Sequence, residues 1–115
     1  MKIKLIRSFS AAHHLPQYEG ACHQLHGHTW KTVFVIDGPV QADGMVCDFK
    51  VIKKLLDNNL PDHQLLNELL PNPTAENLAQ YLFDKIAPQL KAQNLTLKTV
   101  EVWESENAAA ILERE

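Results

Sequence analysis

The stretch His26-Gly27-His28-Thr29-Trp30-Lys31-Thr32-Val33-Phe34-Val35-Ile36-Asp37 decides the fold. His26, His28, Trp30, Thr32, Phe34 and Ile36 share one parity; Gly27, Thr29, Lys31, Val33 and Val35 share the other. This period of two predicts a strand with one buried face, because successive side chains point to opposite sides of a sheet. Residues 2–13 alternate in the same way. Ile3, Leu5, Phe9, Ala11 and His13 lie on one face, with Arg7 as the exception. Between the two strands, residues 14–25 hold Pro16 and Gly20 and read as a loop.

Downstream, Asp37-Gly38 and Asp43-Gly44 are turn dipeptides, and Val40 with Met45-Val46-Cys47 suggests a short hairpin extension. Asp48 is placed to cap a helix over 49–59, where Phe49, Ile52, Leu55 and Leu56 recur at helical spacing. A second helix should start near Thr74, with Leu78, Tyr81, Leu82, Ile86 and Leu90 as its apolar stripe and Pro88 as a kink or early end. Thr96 to Glu104 alternates as a strand, with Lys98, Val100, Val102 and Glu104 on one face, and Ala108 to Leu112 reads as a short last strand. The order is strand, strand, helix, helix, strand, strand. This predicts an α+β fold over residues 1–115 as one domain, an antiparallel four-stranded sheet with two helices on one face. Such a sheet leaves two open edges and an incompletely covered face, which predicts self-association.

Composition narrows the function classes. The 115 residues are 45% hydrophobic and 22% charged, which excludes a disordered chain and a collagen-like one. The net charge of −3 and a complement of only two arginines, Arg7 and Arg114, argue against a nucleic-acid partner and a membrane surface. No apolar run reaches the roughly 18 residues of a membrane span. Charges interrupt the first residues, Met1-Lys2-Ile3-Lys4-Leu5, so no secretory signal is read. The expectation is a cytoplasmic protein with Cys22 and Cys47 as free thiols.

Histidine carries the chemistry. Five of the six histidines fall within 16 residues, from His13 to His28. His26 and His28 are i and i+2 on a strand and face one side, with Gly27 between them allowing close backbone packing. His13 ends the first strand on its apolar parity. If the strands pair, the three imidazoles converge, and three histidines with one open position describe a catalytic zinc site. His14 has the wrong parity to join them, and His23 lies in the loop with no assigned role.

Cys22, four residues before His26, is open to three readings: fourth ligand, base, or inert small residue. Asp62-His63 reads either as a carboxylate orienting an imidazole in a proton relay or as a cap beside a loop histidine. Glu104 continues the parity of Val100 and Val102, so it either points inward and needs a partner or emerges into solvent at the strand end. Thr74 and Glu76 belong first to a helix start, with Thr74 as N-cap.

Taken jointly, Phe9-Ser10-Ala11-Ala12-His13, Cys22-x3-His26-Gly27-His28, Asp62-His63, Pro73-Thr74-Ala75-Glu76 and Val102-Trp103-Glu104 resemble the 6-pyruvoyltetrahydropterin synthase family. The three-residue gap between Cys22 and His26 resembles its bacterial, carboxytetrahydropterin-forming branch, which serves queuosine biosynthesis. The resemblance implies the tunnelling fold, trimers paired into hexamers, and active sites between subunits. It implies zinc on His13, His26 and His28, Cys22 as catalytic base, Asp62 and His63 as proton relay, and Glu104 as anchor of the pterin ring. Thr74 and Glu76 would be lesser contributors to the pterin wall. The implied substrate is 7,8-dihydroneopterin triphosphate. A pyruvoyl-forming enzyme and a non-catalytic zinc- or pterin-binding assembly protein are the rival readings. Ser105 and Gln64 depart from the family pattern, where Thr and a second His are usual, and no Gly-rich loop marks a triphosphate site.

Overall fold

The computed structural model describes all residues 1–115. Strand β1 (Lys2–His13) and strand β2 (His26–Asp37) pair antiparallel along their whole length, from Lys2 opposite Asp37 to His13 opposite His26. Helix α1 (Phe49–Asn59) begins where Asp48 accepts a hydrogen bond from the Lys50 amide at 2.9 Å. Strand β3 (Gln64–Leu65), helix α2 (Ala75–Lys91), strand β4 (Thr96–Ser105) and strand β5 (Ala108–Glu113) complete the chain. Thr74 caps α2 as expected, accepting from the Asn77 amide at 3.1 Å.

The sheet is not the four-stranded antiparallel one expected. It has five strands in the order β3-β1-β2-β4-β5, and β3 runs parallel to β1, Gln64 beside Ala11 and Leu65 beside Ala12. Two residues are too few to show a period, so the sequence carried no sign of β3. Three smaller expectations also fail. Residues 38–48 form no hairpin; they turn through a Gln41–Met45 backbone bond of 2.9 Å, with Val46 buried. Of the two readings of Pro88 the early end fails: α2 runs on to Lys91, and Ala92 still donates to the Pro88 carbonyl at 3.1 Å. In β4 the ladder shifts between Val35 and Ile36, skipping Lys98, so Leu97 turns to the core with Val100 and Val102.

The core is a cluster of 22 buried residues from one sheet face, both helices and the connections at Val46, Leu60, Leu66 and Leu95. Leu5, Phe9 and Ala11 of β1, Trp30, Phe34 and Ile36 of β2, and Val100 and Val102 of β4 meet Ile52 and Leu56 of α1 and Leu78, Leu82 and Ile86 of α2. Arg7, the charged exception on that face, reaches α1 instead. Its guanidinium donates to both carboxylate oxygens of Asp57, at 2.8 and 2.6 Å, which raises its pKa above the ordinary arginine value. The opposite sheet face carries half-exposed Ile6 and Ile111, and Lys31 stacks there over Trp103 at 5.2 Å. No helix is long and apolar enough to cross a membrane.

Candidate metal centre and active site

The β1–β2 register brings the histidines together. His13 sits directly opposite His26, and His28 lies one same-face step further along β2, opposite Ala11. The ligand atoms of His13, His26, His28 and Glu104 all lie within 4.8 Å of one another. His13 Nε2 is 2.9 Å from His26 Nε2, and His28 Nε2 is 3.0 Å from Glu104 Oε1. Trp30, the next same-face residue after His28, closes the core side of the cluster, its ring edge-on to both His13 and His28. Sequence reading missed Trp30 as a wall, although its parity already placed it there.

Glu104 does point inward, and its position has a local cause. On β5, Ala109 pairs with Trp103 and Ala108 with Ser105, so Glu104 is the extra residue of a β-bulge. Its Oε1 lies 3.4 Å from His13 Nε2 as well as beside His28, which makes it a fourth group at the cluster. Cys22 does not join. It sits half-buried in a 3-10 turn, Ala21–His23, outside the set of converging ligand atoms.

The donor chemistry fits a divalent metal. His13 Nδ1 lies 2.8 Å from the Pro73 carbonyl and His26 Nδ1 2.7 Å from the Gln24 carbonyl. A carbonyl only accepts, so both Nδ1 atoms carry a proton, which leaves Nε2 of each ring as the atom a metal would take. The two Nε2 atoms lie 2.9 Å apart, close enough for one cation to take both. His28 Nε2 is buried and has no aligned hydrogen-bond partner. Burial pushes the His28 pKa down, His13 and His26 add to this, and Glu104 opposes it, so the ring favours its neutral, ligating form. Three imidazole nitrogens with an adjacent oxygen suit zinc. Neither the Pro73 nor the Gln24 carbonyl was identifiable from sequence, since a backbone acceptor carries no residue signature.

Asp62 and His63 lie on the outer edge of β1. Asp62 Oδ1 accepts from the Ser10 amide at 2.9 Å, and its Oδ2 lies 2.9 Å from His63 Nδ1. These contacts, the Ser10 amide foremost, hold the Asp62 pKa below the usual carboxylate value. His63 has a left-handed backbone, φ 57°, uncommon for a residue with a side chain, and its ring is 82% exposed. His63 and His28 line one shallow depression of about 640 Å³ with Ser10, Gly27 and Leu65. Gly27 has a different role from the one expected: a Cβ there meets nothing within 4 Å, so it does not serve close backbone packing. A second depression of about 660 Å³, along α2 beside Tyr81 and Lys85, does not touch the histidines. Thr74 and Glu76 stay at the start of α2, outside the cluster, although Pro73 beside them holds His13.

Known proteins resemble this chain in sequence and in fold. A 6-carboxy-5,6,7,8-tetrahydropterin synthase of Synechocystis is 40% identical over 90% of this chain and 85% of its own. A dihydroneopterin monophosphate aldolase of Pyrococcus furiosus is 35% identical over 98% of this chain and 99% of its own. The solved 6-pyruvoyl tetrahydropterin synthase of Caenorhabditis elegans superposes with a TM-score of 0.87, at 26% identity, over 100% of this chain and 96% of its own. The family model for 6-pyruvoyl tetrahydropterin synthase matches residues 2–115, and the chain belongs to that family.

Proposed function

We propose that this chain is a zinc-dependent lyase. It converts 7,8-dihydroneopterin triphosphate and water to 6-carboxy-5,6,7,8-tetrahydropterin, acetaldehyde and triphosphate, in the cytoplasm and for queuosine biosynthesis. The observation that carries the reading is the convergence of His13, His26 and His28, with two Nδ1 atoms tied to backbone carbonyls and the Nε2 atoms turned inward. The carboxytetrahydropterin synthase relative and the three-residue Cys22–His26 gap support the branch.

His13, His26 and His28 hold the metal. Zinc there supplies a Lewis acid to the hydroxyls of the substrate side chain. Cys22, outside the converging ligand atoms, removes a carbon-bound proton as a thiolate. His63, oriented by Asp62, carries the balancing proton. Its exposure on its own chain suits a group that works in a site completed by a second copy. Glu104 accepts from the 2-amino and ring N–H donors of the pterin, a charge-assisted pair. Thr74 and Glu76 contribute to the pterin wall beside their capping role.

Self-association into trimers or hexamers belongs to the same reading. The outer edge of β5, the part of β1 before Ser10, and the exposed Ile6 and Ile111 all want cover.

One observation favours a second reading. A dihydroneopterin monophosphate aldolase is 35% identical over 98% of this chain and 99% of its own, which favours a monophosphate substrate and an aldol cleavage. Incubation with the triphosphate and the monophosphate of dihydroneopterin, with products identified by mass spectrometry, separates the readings. Acetaldehyde with 6-carboxytetrahydropterin is expected. A pyruvoyl pterin, or aldol products from the monophosphate alone, would replace the proposal.

A further inference from the structure

One strand edge carries both the relay dyad and a metal ligand. Residues 62–67 run along the outer edge of β1 from Ser10 to His14. The Ser10 amide donates to Asp62 Oδ1 at 2.9 Å, and the His63 amide donates to the Ser10 carbonyl at 2.6 Å. Gln64 and Leu65 then pair with Ala11 and Ala12 as β3. The backbone ladder stops there, because the chain turns into a 3-10 turn over Leu66–Glu68.

A side chain continues the ladder. Asn67 Oδ1 accepts from the His14 amide at 2.9 Å, and Asn67 Nδ2 donates to the His14 carbonyl at 2.9 Å. A primary amide carries a donor and an acceptor in one plane, as a peptide group does, so it can stand in for a strand partner. Aspartate keeps only the acceptor, and alanine keeps neither. The clamped residue follows His13, the one fully buried member of the histidine cluster. On its other side His13 pairs with His26, and its ring is fixed by the Pro73 carbonyl. The Asn67 clamp carries the tie between β1 and the segment bearing His63 past His13, beyond the last backbone pair at Ala12 and Leu65.

We infer that Asn67 is a positioning residue, whose amide fixes the end of β1 so that His13 stays on the metal and in register with Asp62 and His63. The inference rests on reading the three histidines as a metal site. A loop staple with no further role would cost stability and leave the metal untouched, which gives the two roles different signatures.

Cobalt(II) titration of the full chain, followed by its visible absorption bands, tests this without turnover. Asn67→Ala should stay folded by circular dichroism and bind cobalt about tenfold more weakly than the wild type, with altered bands. Asn67→Asp should fall between the two, and it keeps the test open if the alanine variant does not fold. Gln41→Ala is the control. It removes a comparable bond, Gln41 Nε2 to the Val46 carbonyl at 3.1 Å, at the other end of the sheet, and should bind cobalt as the wild type does. Wild-type affinity and bands in both Asn67 variants would overturn the inference alone. A wild type that binds no cobalt would overturn it together with the metal reading beneath it.

Discussion

His28 Nε2 lies 3.0 Å from Glu104 Oε1, yet the two are not aligned as a hydrogen bond and the nitrogen is left without a partner. The carboxylate is therefore close to the metal ligands without being committed to one of them. It is free to turn toward a neighbouring donor pair such as a pterin edge. Glu104→Ala is expected to weaken binding of dihydroneopterin by about tenfold to hundredfold, the worth of hydrogen bonds to a charged group, with little change in zinc affinity. Calorimetry with each ligand in turn measures both. Lost zinc binding with unchanged pterin affinity would make Glu104 a fourth ligand instead.

His26→Ala and His28→Ala should each release the metal, because two imidazoles no longer complete the site. Elemental analysis after dialysis gives the occupancy. A full zinc complement in either variant would remove that histidine from the ligand set.

Cys22→Ala should keep its zinc and lose turnover by about 10²- to 10⁴-fold, the range for removing a catalytic proton acceptor. Metal content and initial rate, measured on one preparation, separate the roles left open by the sequence. Zinc loss would make Cys22 a ligand, and wild-type turnover would make it inert.

The metal-free protein should lose stability as the pH falls through about 6.5, the ordinary histidine value. Burial, chiefly, lowers the His28 pKa in the folded state, so the unfolded chain binds a proton that the folded chain resists. Stability then rises with pH across that window and is lost below it. Urea midpoints at several pH values should show a shallower slope for His28→Asn. An unchanged slope would mean His28 is not the group responsible.

Much of this was legible in the chain because strand patterns are local. The parity of residues 2–13 and 26–37 set both strand boundaries, and the i, i+2 placement of His26 and His28 put both rings on the side of His13. Asp48 and Thr74 announced two helices through their caps. What stayed hidden was non-local or too short to repeat. Gln64–Leu65 has no period to read, and the Lys98 bulge reverses parity for Leu97 through a shift against β2. The bonds that tune the site, from the Pro73 and Gln24 carbonyls and the Asn67 amide, depend on where the chain folds back. Strand parity leaves Glu104 open between an inward position and a strand end emerging into solvent, and its approach to His13 and His28 required the fold.

The proposed function stands on a zinc centre of three histidines with Cys22 kept off the metal. X-ray absorption at the zinc edge of the reconstituted wild type tests it most directly. One zinc per chain with three imidazole nitrogens at about 2.0–2.1 Å and no sulfur neighbour is expected. A sulfur shell at about 2.3 Å would place Cys22 on the metal and remove it as the base, and zinc without histidine scattering would contradict the centre itself.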